Sequence, residues 1–151
     1  MEPLTVAGRL DSLGAIAQYV LAAAAAAGLD KKAAYKLRLA VDEIATNIII
    51  HGYQKAGQSG VLVCEAILND QALTISLEDT GIAYDPTAKP YPDDLDKPLE
   101  ERRIGGLGVY LAMQNVDQLL YERIGNRNRN TFVVNQNLNT SKDNPQDDRA
   151  L

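Results

Sequence analysis

The sequence holds one cysteine and one histidine, which leaves no partner for a disulfide within the chain and no Cys and His set at the spacing of a zinc site. Nowhere does an apolar run approach the ~20 residues that cross a bilayer. The amino terminus lacks the charged region, apolar core and cleavage site of a secretory signal, so the expectation is a cytoplasmic protein without membrane contact. Positive charge is also scarce. Against 20 Asp and Glu stand 15 Lys and Arg, for a formal net charge of -5 and a pI near 4.8. That balance opposes a general role on nucleic acid, whose phosphates demand clustered cations. The basic run Arg123 to Arg129 is broken by neutral residues and reads as a solvated hairpin turn. The G-x-x-x-x-G-K-[ST] pattern is missing as well, which excludes a P-loop nucleotide site. No internal repeat is visible.

What remains fits one α/β domain of 151 residues, long enough to bury a core without metals or disulfides. Leu4 to Arg9 reads as a first strand. Asp11 or Ser12 can cap a helix through the alanine-rich stretch that Gly28 stops. Asp30 can cap a second helix, in which Leu37, Ala40, Val41, Ile44, Ala45 and Ile48 recur at the spacing of one buried face, ending near Gly52. The runs Gly60 to Leu68 and Ala72 to Leu77 alternate in polarity around Asn69-Asp70-Gln71 and predict a hairpin. Cys64 lies in the first of them, as a buried thiol rather than a nucleophile. Gly106 to Val116 reads as a third helix. Leu119 to Ile124 and Thr131 to Gln136 form a second hairpin turning through Gly125 to Asn130. Residues 84–105 hold four prolines without periodicity, as a mobile lid would, and residues 138–151 read as a disordered tail on a domain spanning 1–137.

Three segments in fixed order carry chemistry: Glu43 to His51, Asp79 to Pro86, and Ile104 to Tyr110. On the second helix Glu43, Asn47 and His51 are each four apart and share one slowly drifting row beside the apolar stripe. An amide oxygen suits magnesium, which prefers oxygen donors and is completed by water and phosphates, so Asn47 is the candidate metal ligand. Glu43, one turn earlier, is the candidate base. His51 is assigned no chemistry. Asp79 follows an apolar strand, where a carboxylate could accept from the exocyclic amine of adenine, and Gly81 would let backbone approach the ring. An ordinary Asp-Thr-Gly turn is the alternative. Gly105, Gly106 and Gly108 bare backbone amides at the start of a helix, suited to phosphate. Arg102 and Arg103 either pair with the terminal phosphate or are surface charge.

With these segments the chain, over roughly residues 4 to 136, resembles the GHKL superfamily of ATPases. Glu43 to Tyr53 and Pro98 to Leu111 look most like the small serine kinases that act as anti-sigma factors. The resemblance implies the Bergerat ATP-binding fold, an α+β two-layer sandwich with helices on one face of a mixed, mainly antiparallel sheet. It implies ATP and Mg2+ as cofactors, with Glu43 as catalytic base and Asn47 on the metal. Asp79, Gly81, Arg103, Gly105, Gly106, Leu107, Gly108, Val109 and Thr131 would complete the nucleotide site, Thr131 lying near Asp79. It further implies an anti-sigma factor serine kinase that phosphorylates a STAS-domain antagonist and sequesters a sigma factor, with a serine phosphatase regulator as a further partner and a homodimer as the assembly. The alternative is a non-catalytic ATP-binding regulatory module. Ala83 stands where many relatives have a second glycine, and Asp11 to Val20 lacks the arginine with which some relatives face their partners.

Overall fold

The computed structural model describes residues 1–88 and 106–136. Residues 89–105 of the expected lid (84–105), with Arg102, Arg103 and Gly105, and the expected tail lie outside the described residues. Five strands, β1 (Leu4–Ala7), β2 (Val61–Leu68), β3 (Ala72–Asp79), β4 (Gln118–Ile124) and β5 (Arg127–Asn135), form one sheet in the order β1-β2-β3-β5-β4. Every described pairing is antiparallel. Three helices, α1 (Leu13–Ala26), α2 (Lys31–Asn47) and α3 (Gly106–Gln114), accompany it.

Local chemistry sets the boundaries. At the end of α1, Gly28 adopts a φ of +78°, and its N–H bonds the Ala25 carbonyl while that of Leu29 bonds Ala24, each at 3.0 Å. This is the paired closure a left-handed residue permits. Asp30 caps α2 by accepting from the Ala33 amide at 2.7 Å. Asn69 turns the β2–β3 hairpin by accepting from the Gln71 and Ala72 amides at 2.8 and 2.9 Å.

Burial follows the two expected periodicities. Ile16, Val20 and Ala23 of α1 and Leu37, Ala40, Val41, Ile44 and Ala45 of α2 meet Leu62, Cys64, Leu73, Ile75, Leu77 and Phe132 on one face of the sheet. Each large apolar side chain in this layer contributes about 1.5–3 kcal/mol of transfer free energy. Cys64 is part of the layer, and burial pushes its thiol up to about 12. That leaves it without the thiolate a nucleophile needs.

Beyond Asn47 the chain continues as a π-helical segment, Ile48–Gln54, so the helix ends near Gly52 as expected but changes its turn on the way. Tyr53 fixes this segment to the sheet. Its ring is 1% exposed, and its hydroxyl donates to the Val61 carbonyl (2.8 Å) and accepts from the Thr80 amide (2.9 Å). A Cβ on Gly8 or Gly60 would lie 2.6 or 2.9 Å from the tyrosine. The two glycines thus form the slot in which the ring sits, between the ends of β1 and β3 and the start of β2.

Candidate nucleotide site

The end of α2, the π-helical segment and the ends of β3 and β5 surround a small, narrow cavity. Asn47, which is buried, and Gly52 supply one wall, Asp79, Asn128 and Asn130 the sheet side, and Ile82 and Tyr84 the loop side. The helical change at Asn47 matters here. Asn47 and Gly52, five residues apart, both line the cavity, whereas His51 does not. The four-residue row expected from Glu43 to His51 therefore holds for its first step only, because π-helical bonding replaces the α-helical repeat.

Asp79 is 3% exposed and stands at the cavity wall. Its Oδ1 accepts from the Gly81 amide (2.8 Å) and from Asn128 Nδ2 (2.9 Å), while Oδ2 is buried without a partner. Burial raises the carboxyl above its usual range, opposed by those two hydrogen bonds and by Arg123. Gly81 is required for packing: a Cβ there would lie 2.7 Å from the Gly52 carbonyl oxygen. Loop and helix meet backbone to backbone. Asn130, 2% exposed, also has an Oδ1 without a partner. Two buried acceptors on one wall are chemically suited to an exocyclic amine, which offers two N–H groups.

One turn before Asn47, about 6 Å along the axis, Glu43 lies half-buried against the start of α3. A Cβ placed on Gly108 would overlap its carboxylate. Burial, and then the neighbouring Asp42, raise the Glu43 carboxyl above its ordinary value. Glu43 thus lies on α2 between the start of α3 and Asn47, and Asn47 and the buried Asp79 both stand at the cavity. Gly106 opens α3 as expected. Val109 is 3% exposed and packs in the core.

Two expectations about the second hairpin are corrected. The turn is confined to Gly125 and Asn126, and Arg127 already pairs with Ile124 in β5. The basic residues are neither turn nor patch: Arg127 and Arg129 bond Glu78 at 2.8 and 2.7 Å, and Arg129 also bonds Glu122 at 3.0 Å. Thr131 is paired with Ser76, while Asp79 is paired with Asn128. Three residues of strand separate them by ~10 Å. The alternation of the strand also turns Thr131 to the face opposite Asp79. The residues that do reach the cavity from β5, Asn128 and Asn130, were missed, because polar side chains around a glycine resemble a loop. Their period of two, continued by the buried Phe132, was the available signal.

An antiparallel sheet with helices on one face, and a pocket where a buried carboxylate meets the end of a helix, defines a two-layer α+β nucleotide-binding domain. The chain belongs to the histidine kinase-like ATPase domain family, whose profile matches residues 6–134. It is similar to the serine-protein kinase RsbW of Listeria monocytogenes serovar 1/2a, at 29% identity over 99 residues, covering 64% of this chain and 62% of that protein. It is also similar to the anti-sigma F factor of Clostridium acetobutylicum, at 34% identity over 87 residues, covering 57% and 58%. The matches thus span about three fifths of the length of these relatives. The fold resembles that of a histidine kinase domain from the Erythrobacter litoralis EL346 blue-light activated histidine kinase, with a TM-score of 0.54 at 20% identity, over 87% of this chain and 62% of that one. Among the described residues, no helix is long and apolar enough to cross a membrane.

Proposed function

We propose that this chain is an ATP-dependent protein serine kinase of the anti-sigma factor type, which phosphorylates a STAS-domain antagonist and sequesters a sigma factor. The observation that carries the reading is the buried Asp79 whose Oδ2 has no protein partner, at a cavity that Asn47 also lines. An unpaired buried acceptor costs about 1–3 kcal/mol, a cost that a ligand N–H removes. Asp79 accepts from the exocyclic amine of adenine, with Asn130 beside it. Asn47 presents its amide oxygen, one neutral hard ligand of the kind Mg2+ takes, and the ion when bound neutralises charge on the phosphates. Residues at the start of α3, Gly106 to Gly108, offer backbone amides to the same phosphates.

In the transfer step the serine oxygen of the antagonist attacks the terminal phosphorus, the bond to the bridging oxygen breaks, and ADP leaves. Glu43 takes the hydroxyl proton. Its raised carboxyl brings it closer to neutrality, where a base is most effective. Positioning supplies most of the rate, so a small domain suffices. Arg103 and Gly105 would close on the phosphates from the lid. The reading carries with it a cytoplasmic homodimer and a serine phosphatase that reverses the modification.

Calorimetric titration of ATP, with and without Mg2+, into the wild type and Asp79→Ala tests the site. Magnesium-dependent binding lost in the variant supports it, and no binding by the wild type refutes it. Incubation with a STAS-domain antagonist then separates kinase from regulatory module: phosphoserine on the antagonist supports transfer, and ATP-dependent association without phosphoserine leaves only the module.

A further inference from the structure

Asn128 has no part in the chemistry above, yet it makes more polar contacts than any single catalytic step explains. Its Nδ2 donates to Asp79 Oδ1 (2.9 Å), to the Ile82 carbonyl (3.0 Å) and, more weakly, to the Gly81 carbonyl (3.2 Å). Its Oδ1 accepts from the Tyr121 hydroxyl and from Arg123 Nη1, the latter at 3.1 Å. Arg123 Nη1 also holds the Gly81 carbonyl at 3.1 Å. The residue is 3% exposed, so each bond is made in a region of low dielectric, where it is strong when satisfied and costly when lost.

We infer that Asn128 is the positioning residue of the cavity: its amide ties Asp79 Oδ1 and the 79–82 loop to β5 and leaves Oδ2 as the free acceptor on the cavity wall. Only a side chain with two N–H donors on one atom and an acceptor on the other does this. The donors face the carboxylate and two carbonyls; the acceptor faces a phenol and a guanidinium. An aspartate in the same volume keeps the acceptor side and inverts the donor side. The inference rests on the nucleotide reading of the same cavity.

Hydrogen bonding to the ionised carboxylate favours that form, and Asn128 opposes the upward push of burial on Asp79. The other groups facing Asp79 are the cationic Arg123 and Tyr121 from β4, Tyr84 from the loop, and the uncharged Asn47 and Gly52 from the helical side. Ionised Asp79 is the better acceptor for an amine, so nucleotide affinity falls on the acid side as Asp79 gains its proton.

ATP is titrated into the full chain from neutral to acid pH, for the wild type, Asn128→Asp, Asn128→Ala, Tyr121→Phe and, as a core control, Ile75→Val, with thermal melts of each. Asn128→Asp is expected to weaken ATP binding roughly tenfold or more at neutral pH and to move the acid loss of binding to higher pH. Tyr121→Phe, which removes one donor to Asn128 and no packing, shifts both in the same direction by less. Ile75→Val lowers the melting temperature and leaves affinity and acid limb in place. Wild-type binding with Asn128→Asp and Tyr121→Phe superimposable on it overturns the inference alone, as does an equal displacement in Ile75→Val. No binding by the wild type overturns the nucleotide reading and the inference with it.

Discussion

Replacing Gly108 by alanine should separate stability from catalysis, because two consequences of one methyl group run in opposite directions. In a helix interior Gly→Ala is worth up to ~1 kcal/mol of propensity, and less in the first turn, where Gly108 lies. Against this, the new Cβ would overlap the Glu43 carboxylate. That obstacle is the end of a flexible side chain, so the glutamate swings aside rather than α3. The displaced carboxylate also escapes the burial that raises it. The net stability change is therefore about 0 to +1 kcal/mol, a rise in melting temperature of about 0–4 °C for a domain of this size. Transfer suffers instead. A positioned general base contributes about 10²–10⁴ in rate, and most of that is lost when Glu43 leaves its place, while ATP affinity changes only a few-fold. Thermal melts, ATP calorimetry and phosphoserine formation on the antagonist measure the three quantities. Wild-type turnover in Gly108→Ala beside an inactive Glu43→Gln would refute the argument that this contact places the base. A fall of many degrees would show that the collision reaches the backbone.

Two further outcomes follow from the site. Asp79 is raised by burial, so the folded state holds its proton more tightly than the unfolded chain does; its ionised form costs stability above the folded pKa, and the cost fades as pH falls through it. Nucleotide-free Asp79→Asn should accordingly melt higher than the wild type at neutral pH, by a margin that shrinks toward acid, while failing to bind ATP; a lower melting temperature at neutral pH contradicts this. Tyr53→Phe leaves the Thr80 amide and the Val61 carbonyl without their buried partner and should cost about 1–3 kcal/mol, or roughly 2–4 °C for each kcal/mol, seen by denaturant or heat. Unchanged stability would mean that water replaces the phenol.

Much of this was legible in the sequence wherever local rules and tertiary packing agree. Asp30, Gly28 and Asn69 act through their own neighbours, so cap, stop and turn were readable one residue at a time. Leu37 to Ile44 kept a helical period because one face alone meets the sheet. Asp79 was legible because it follows an apolar strand, and Asn47 because it lies one helical turn beyond Glu43. Legibility failed where a polar residue points inward. Asn128 and Asn130 carry the alternation of β5 into the cavity instead of the core, so the strand's first half read as a loop. The π-helical segment was equally hidden. Its seven residues IIIHGYQ continue an apolar run, and the slot between Gly8 and Gly60 that receives Tyr53 is distant in sequence.

The register of the central pairing sets a schedule for biosynthesis. Asp79 closes β3, and the side chain that holds it arrives 49 residues later. At typical elongation rates of 5–20 residues per second, about 3–10 s pass between them. During that interval α1, α2 and the β2–β3 hairpin can assemble from near neighbours, yet the aspartate has neither its amide partner nor the far wall of its pocket. ATP in the cell therefore cannot stabilise the nascent chain through this site, and its help begins only once β5 has left the ribosome and closed the sheet. Lesions in β5 should for that reason act early in the life of the protein, as failures of maturation that added nucleotide does not rescue, while lesions confined to Glu43, the proposed base, should yield a fully matured domain that binds and does not turn over.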